Sequence, residues 1–69
     1  MYLKMKTTED QLIYINHEKI EYIKENHRGT EIGLSSGTFE VVTAKFEKIA
    51  SALKKLEVQE DMISIIHHD

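Results

Sequence analysis

Cysteine, proline and tryptophan are absent from this 69-residue chain, and only three of its residues are glycine. Without cysteine the chain lacks disulfide bonds, which commonly stabilise small secreted domains. The absence of proline, low-complexity tracts and internal repeats leaves no sign of a linker before Leu56. A chain of this length buries only about 60% of its surface on folding, so we expect one domain with a marginal core.

Long hydrophobic runs are also missing, since no stretch approaches the roughly 20 apolar residues that cross a bilayer. The segment from Met1 to Lys6 lacks the apolar run of a signal peptide, so we expect a soluble, cytoplasmic protein without membrane contact. The net charge of −3 is small and has the wrong sign for a strong phosphate binder. A hydrophobic share of 41% beside 30% charged residues is typical of a globular protein.

Apolar and polar residues alternate through most of the first 43 positions, as in strands with one buried face. Leu3 and Met5 alternate with polar neighbours, and polar segments of the kind found in turns separate the apolar runs. Ser35, Ser36 and Gly37 mark the clearest hairpin turn. We predict strands near 2–6, 11–16, 19–26, 30–35 and 38–43, with a bulge near Tyr22 and Ile23.

The period of the apolar pattern changes from two to 3.6 after Thr43. Phe46, Ile49 and Leu53 recur at helical spacing, which predicts an amphipathic helix over 44–56 with Thr43 as its N-cap. The predicted fold class is therefore α+β: a small antiparallel β-meander of four to five strands followed by one C-terminal amphipathic helix. Residues 1–56 form the predicted domain.

Residues 57–69 read as a C-terminal tail that is acidic first and apolar afterwards. Its apolar side chains would be unfavourably placed if they stayed in water. We predict a further strand or a contact segment here, with packing onto the tail's own domain as the alternative. The apolar residues of the tail are Met62, Ile63, Ile65 and Ile66.

Several of these segments together resemble a family of short bacterial proteins, the FlbD/SwrD family. The matching elements are Ile13-Tyr14-Ile15-Asn16, Lys19-Ile20-Glu21-Tyr22-Ile23, Ile32-x-Leu34-x-x-Gly37, Val41-Val42, and a helix with Ile49 and Leu53. The resemblance covers roughly residues 2 to 56 and consists of core and turn positions, so it implies fold more than function. It implies a link to flagellar or swarming motility, or a phage-encoded protein of this type. The chain departs from the family pattern at Glu9-Asp10, where a hairpin Asn-Gly is usual, and in the tail.

A weaker resemblance connects Ile20 to Leu53 with the core of LytTR-type DNA-binding domains. It implies the alternative function, a nucleic-acid-binding regulator. Four lysines of the predicted helix are the candidate contacts, although Glu47 interrupts their face and no aromatic residue lies between them for base stacking. These residues are Lys45, Lys48, Lys54 and Lys55.

No group of residues is arranged for catalysis or for a cofactor. Ser35 and Ser36 precede Gly37 without the Gly-x-Ser-x-Gly pattern of a nucleophile, and they are better explained as a turn. The densest set of metal-ligand types, His67-His68-Asp69, lacks the four ligands of a structural zinc site, and neighbouring residues of a strand point to opposite faces. We therefore predict no enzyme activity, no cofactor and no metal site.

Exposed apolar residues are the remaining functional candidates. Aromatic and methionine side chains are typical interface anchors, and an apolar strand can extend a neighbouring sheet. Small domains without disulfides or metals often gain stability by associating. We expect a non-enzymatic interaction or regulatory protein that forms a homo-oligomer, most simply a dimer, or binds another protein. The candidate contact residues are Tyr14, Tyr22, Phe39, Met62, Ile63, Ile65 and Ile66.

Overall fold

The structure, a computed structural model, describes residues 1–56. Five antiparallel strands and one helix confirm the α+β class. The strands are β1 (Tyr2–Lys6), β2 (Leu12–Asn16), β3 (Ile20–Asn26), β4 (Gly29–Leu34) and β5 (Phe39–Val42). Helix α1 occupies residues 46–56, up to the end of the described part of the chain.

The strands form two sheets, where the sequence predicted one continuous meander. β1 pairs with β2, and β3, β4 and β5 pair in that order. A 3₁₀ turn at His17–Lys19 separates β2 from β3, and the side chain of Asn16 accepts a hydrogen bond from the Glu18 N–H at 3.1 Å. Because the turn redirects the chain, β3 starts a new sheet and does not pair with β2.

A short junction joins the two sheets near the ends of β1 and β5. Thr7 pairs with Val42 as an isolated bridge. The Thr8 N–H donates to the Val41 carbonyl at 2.9 Å, and the Thr43 N–H donates to the Lys6 carbonyl at 2.9 Å. We call these contacts the sheet junction. It joins the two sheets, and both residues of its bridge, Thr7 and Val42, are buried.

The sheet junction also explains why one sequence prediction is wrong. Thr43 was expected to cap the helix, but its hydroxyl donates to the Lys6 carbonyl at 3.3 Å. The helix begins later, where the Lys45 carbonyl accepts from the Lys48 and Ile49 N–H groups at 3.0 and 3.2 Å. The bulge predicted near Tyr22 is present as a register shift between Ile20 and Tyr22.

The hydrophobic core lies between the two sheets and α1. Ile32 and Val42 are fully buried, and Ile49 brings the helix onto them. Partly buried residues from β1 to β4 pack against this cluster: Leu3, Ile13, Ile20, Ile23 and Leu34. Gly29 allows the close approach of β4 to β5: its φ is +152°, and a Cβ there would overlap the Val42 carbonyl.

Thr30 is a fully buried polar residue that ties β4 to the segment before α1. Its hydroxyl donates to the Ala44 carbonyl at 2.7 Å. We predict that Thr30→Val lowers the free energy of unfolding by about 1 to 3 kcal/mol, because the carbonyl loses its partner in a part-buried place. Urea unfolding followed by circular dichroism measures the change.

Thr38→Val is the matched control, since the Thr38 side chain is exposed and its hydroxyl shares a hydrogen bond with the Ser36 hydroxyl, at 2.9 Å. We expect it to change the free energy of unfolding by less than about 0.5 kcal/mol. Equal effects of the two substitutions would show that the Thr30 hydroxyl does not hold the sheet to the helix segment.

Candidate contact surface

The first sheet places two tyrosines on the face turned away from the core. Tyr2 lies opposite Asn16, Lys4 opposite Tyr14, and Lys6 opposite Leu12. Since side chains alternate along each strand, the buried Met5 and Ile15 define the inner face and these pairs the outer one. Leu12 and Tyr2 are each 65% exposed and Tyr14 is 69% exposed. The outer face of β1 and β2 thus combines apolar and aromatic groups with two lysines.

The second sheet carries a row of aromatic residues across its outer face. Gly33 in β4 pairs with Tyr22 in β3 and with Phe39 in β5. The Tyr22 ring lies directly over Gly33, where a Cβ would overlap it. Phe39 remains 58% exposed on the other side. The missing side chain at Gly33 therefore creates the space that the tyrosine ring fills.

A hydrogen bond fixes the position of the Tyr22 ring. Its hydroxyl donates to the Glu31 carboxylate at 2.6 Å, and the Lys24 ammonium lies 3.7 Å from the same oxygen. The hydrogen bond to Glu31 raises the pKa of Tyr22 above its ordinary value, with smaller contributions from desolvation and from the nearby negative charge. Tyr22 is thus a positioned aromatic group and stays protonated near neutral pH.

Four of the five aromatic residues of the chain belong to these outer faces and are exposed. Only Phe46, on α1, is partly covered. We call the four residues and Leu12 the aromatic surface. Exposed aromatic groups in such numbers are typical of surfaces that bind a partner. The aromatic surface consists of Tyr2, Leu12, Tyr14, Tyr22 and Phe39.

The structure places the described contact candidates on the outer faces of the two sheets, Tyr14 on the first and Tyr22 and Phe39 on the second. Tyr14, Tyr22 and Phe39 are all exposed there. Sequence reasoning missed Tyr2 and Leu12, although the alternation of Tyr2 with buried neighbours already indicated its outward position. The other contact candidates, Met62, Ile63, Ile65 and Ile66, lie outside the described residues.

The four candidate lysines of the alternative function are exposed but do not share one face. Lys48 and Lys55 lie seven residues apart and therefore on the same side of α1. Lys54 projects about 100° around the helix from Lys55. Lys45 precedes the first helical residue. Only part of the predicted basic surface forms on the helix.

A different set of lysines does converge, around a groove between β1 and α1. The groove has a volume of about 350 Å³ and an apolar floor that includes Leu3, Met5 and Ile49. Three lysines and Thr43 line it together with Ala44 and Ala52, and none of the acidic residues in the described part of the chain does. We call it the lysine groove. Its lysines are Lys4, Lys6 and Lys48.

A second groove of about 520 Å³ lies between β2 and the β4–β5 turn. Ile13, Ile15 and Leu34 form its apolar part. Lys19 and Glu40 both line it, so its charges are mixed. This groove offers space beside β2 without a preference for one sign of charge.

The serines considered as nucleophiles occupy a turn, as their sequence context indicated. Ser36 exchanges a hydrogen bond with Thr38, and the Ser35 N–H donates to the Lys19 carbonyl at 2.8 Å. Within residues 1–56 no three His, Cys, Asp or Glu side chains come together as a metal site would require. His67, His68 and Asp69 lie beyond this part of the chain. In the same range no helix is long and apolar enough to cross a membrane.

Comparisons of the chain with protein-family models, with curated proteins and with solved structures find no match. The links to motility and to DNA binding that the two resemblances imply therefore stay predictions. The exposed surface of residues 1–56 is therefore the basis for proposing a function.

We predict that Tyr22 ionises at a higher pH than an ordinary tyrosine, because its hydroxyl donates to the Glu31 carboxylate. Its pKa is higher in the folded than in the unfolded chain, so the Glu31 interaction stabilises the fold below about pH 10. That stability is lost as the pH rises through the folded pKa. Glu31→Gln and Gly33→Ala should both lower the pKa of Tyr22, the second by displacing the ring.

Alkaline titration of tyrosine absorbance measures the pKa of Tyr22, which is read from the ionisation step that Tyr22→Phe removes. Glu25→Gln is the control, since it removes an exposed carboxylate from the same strand as Tyr22. If the ionisation step at raised pH survives in Tyr22→Phe, the assignment to Tyr22 is wrong.

Proposed function

We propose that this protein is a small, non-enzymatic interaction or regulatory module that acts in the cytoplasm through protein–protein contacts, first of all with a second copy of itself. The observation that supports the proposal is the exposure of four of the five aromatic side chains on the outer faces of the sheets. Tyrosine and phenylalanine bury large areas at interfaces with little loss of side-chain entropy.

The composition of the core adds to this support. Within residues 1–56 five hydrophobic side chains are buried, one methionine and four branched aliphatic residues, and none of them is aromatic. Four of the five aromatic side chains thus contribute surface outside the core. A small domain with so limited a core gains stability when a partner covers its exposed apolar groups. Self-association is the simplest way to provide that cover.

We predict that the full chain is a dimer in solution and that Tyr14→Lys and Phe39→Lys each raise the dimer dissociation constant at least about tenfold, as expected when a charge replaces an interface anchor. Sedimentation velocity and light scattering over a concentration series measure the constant. Testing the two residues separately shows which sheet contributes more.

Ser51→Lys is the matched control, because it adds the same charge at an exposed position of α1. It should leave the dissociation constant unchanged. A full chain that stays monomeric at high concentration would refute self-association. If neither Tyr14→Lys nor Phe39→Lys changes the dimer dissociation constant, the aromatic surface is not the contact.

A second candidate function, nucleic-acid binding, is favoured by one specific observation. Lys4 and Lys6 lie on the same exposed strand face as Tyr2, beside Tyr14. Proteins that bind single strands combine basic and stacking groups in this way. This function predicts binding of a labelled single-stranded oligonucleotide that weakens with salt and is lost when Tyr14 and Lys4 are replaced by alanine. Absence of binding at low salt would dispose of it.

A further inference from the structure

The lysine groove borders a strand edge with available backbone groups. At the two ends of the first hairpin, the Thr7 N–H donates to the Gln11 carbonyl and the His17 N–H to the Met1 carbonyl. Hydrogen-bonded pairs alternate with non-bonded ones in an antiparallel ladder, so the even-numbered residues of β1 direct their backbone groups away from β2. Lys6 does so, because its carbonyl accepts from Thr43.

Tyr2 and Lys4 follow the same alternation, but within residues 1–56 their backbone groups have no backbone partner on that side. The strand edge at Lys4 therefore opens into the lysine groove. An exposed edge of this kind accepts an added strand, with backbone hydrogen bonds for affinity and side-chain positions for specificity.

The side chains of the groove define what such a strand must look like. Its floor, with Leu3, Met5 and Ile49, requires apolar residues at alternate positions. Its rim requires carboxylates: Lys4 and Lys48 have no ion-pair partner among the described residues, and Lys6 has only the exposed Asp10, at 2.9 Å. The groove thus fits an extended segment with acidic and apolar residues in close succession.

The chain itself contains such a segment. Residues 1–56 hold all nine basic residues and eight of the twelve acidic ones, a net charge of +1; residues 57–69 hold the other four acidic residues, a net charge of −4. Within this acidic part, Glu60 and Asp61 come shortly before Ile63 and Ile65, with Met62 between them. In an extended conformation these two isoleucines share one face, as the groove floor requires.

We propose that residues 60–66 of a second copy bind the lysine groove as a strand added to the edge of β1, with the carboxylate of Asp61 beside Lys48 and that of Glu60 beside Lys4. This inference rests on the proposed self-association and names the surface and the segment that perform it. In a symmetric dimer the exchange is reciprocal, so both grooves and both segments are covered at once. Lys4 and Lys6 belong to the groove and to the outer face of β1, so the groove is continuous with the aromatic surface.

Charge reversal in the full chain tests the proposal. Lys48→Glu and Asp61→Lys each place like charges together, and each should raise the dimer dissociation constant at least about tenfold at low salt. An equimolar mixture of the two variants should restore dimers, because one copy then offers an intact segment to the other's intact groove and the reversed pair is also complementary. Sedimentation velocity on each variant and on the mixture gives the result, and the restored dimers show that both variants are folded.

Lys54→Glu is the control, since it makes the same charge change elsewhere on α1 and should leave the dissociation constant unchanged. If the wild type is a dimer and both charge-reversal variants dimerise as tightly as it does, the groove inference is overturned and the proposed function stands. A monomeric wild type would refute both. Two weakened variants that do not associate on mixing would overturn the exchange between copies. A last comparison adds a single-stranded oligonucleotide to dimers of the wild type and of a Lys48→Glu, Asp61→Lys double variant. If the oligonucleotide dissociates only the wild-type dimers, the groove binds nucleic acid and the proposal is overturned.

Discussion

The sheet junction is the contact on which the rest of the molecule depends. It consists of one bridge, Thr7 with Val42, and two flanking backbone hydrogen bonds. Each sheet packs one face onto the core, and a two-stranded hairpin such as β1 with β2 is at best marginally stable alone in water. By fixing the two sheets side by side, the junction lets a single helix cover both. The small buried cluster around Ile32 and Val42 exists because of this arrangement.

The same junction creates the groove. It engages the carbonyl of Lys6 and ends there, so β1 and the chain leading into α1 separate beyond that point. The gap that opens has the edge of Lys4 on one side and Lys48 with Ile49 on the other. A longer pairing between β1 and the segment after β5 would have closed this space. Stability and an available strand edge are therefore two results of one short contact.

Local patterns in the sequence predict the elements but not their arrangement. The alternation of apolar and polar residues around Leu3 and Met5 locates β1, and the same pattern predicts which tyrosines face outward. The way the two sheets are joined depends on the Thr7–Val42 pairing, which connects residues far apart in the chain and leaves no local signal. Thr43 shows the limit most clearly, because its capping potential is real but the junction uses its hydroxyl instead. The lysine groove could not be foreseen for the same reason, since Lys4 and Lys48 become neighbours only through the fold.

The lysines around the groove also limit which strands can pair with β1. An open strand edge invites indiscriminate pairing, and charged residues along the edge are a common defence against it. Two copies that approached through their β1 edges would bring Lys4 and Lys6 against the same residues of the neighbour, a repulsive arrangement. A segment with carboxylates next to apolar residues meets no such repulsion. The charges thus discriminate by excluding the wrong strand as much as by attracting the right one, which is how a small domain keeps an edge available without aggregating through it.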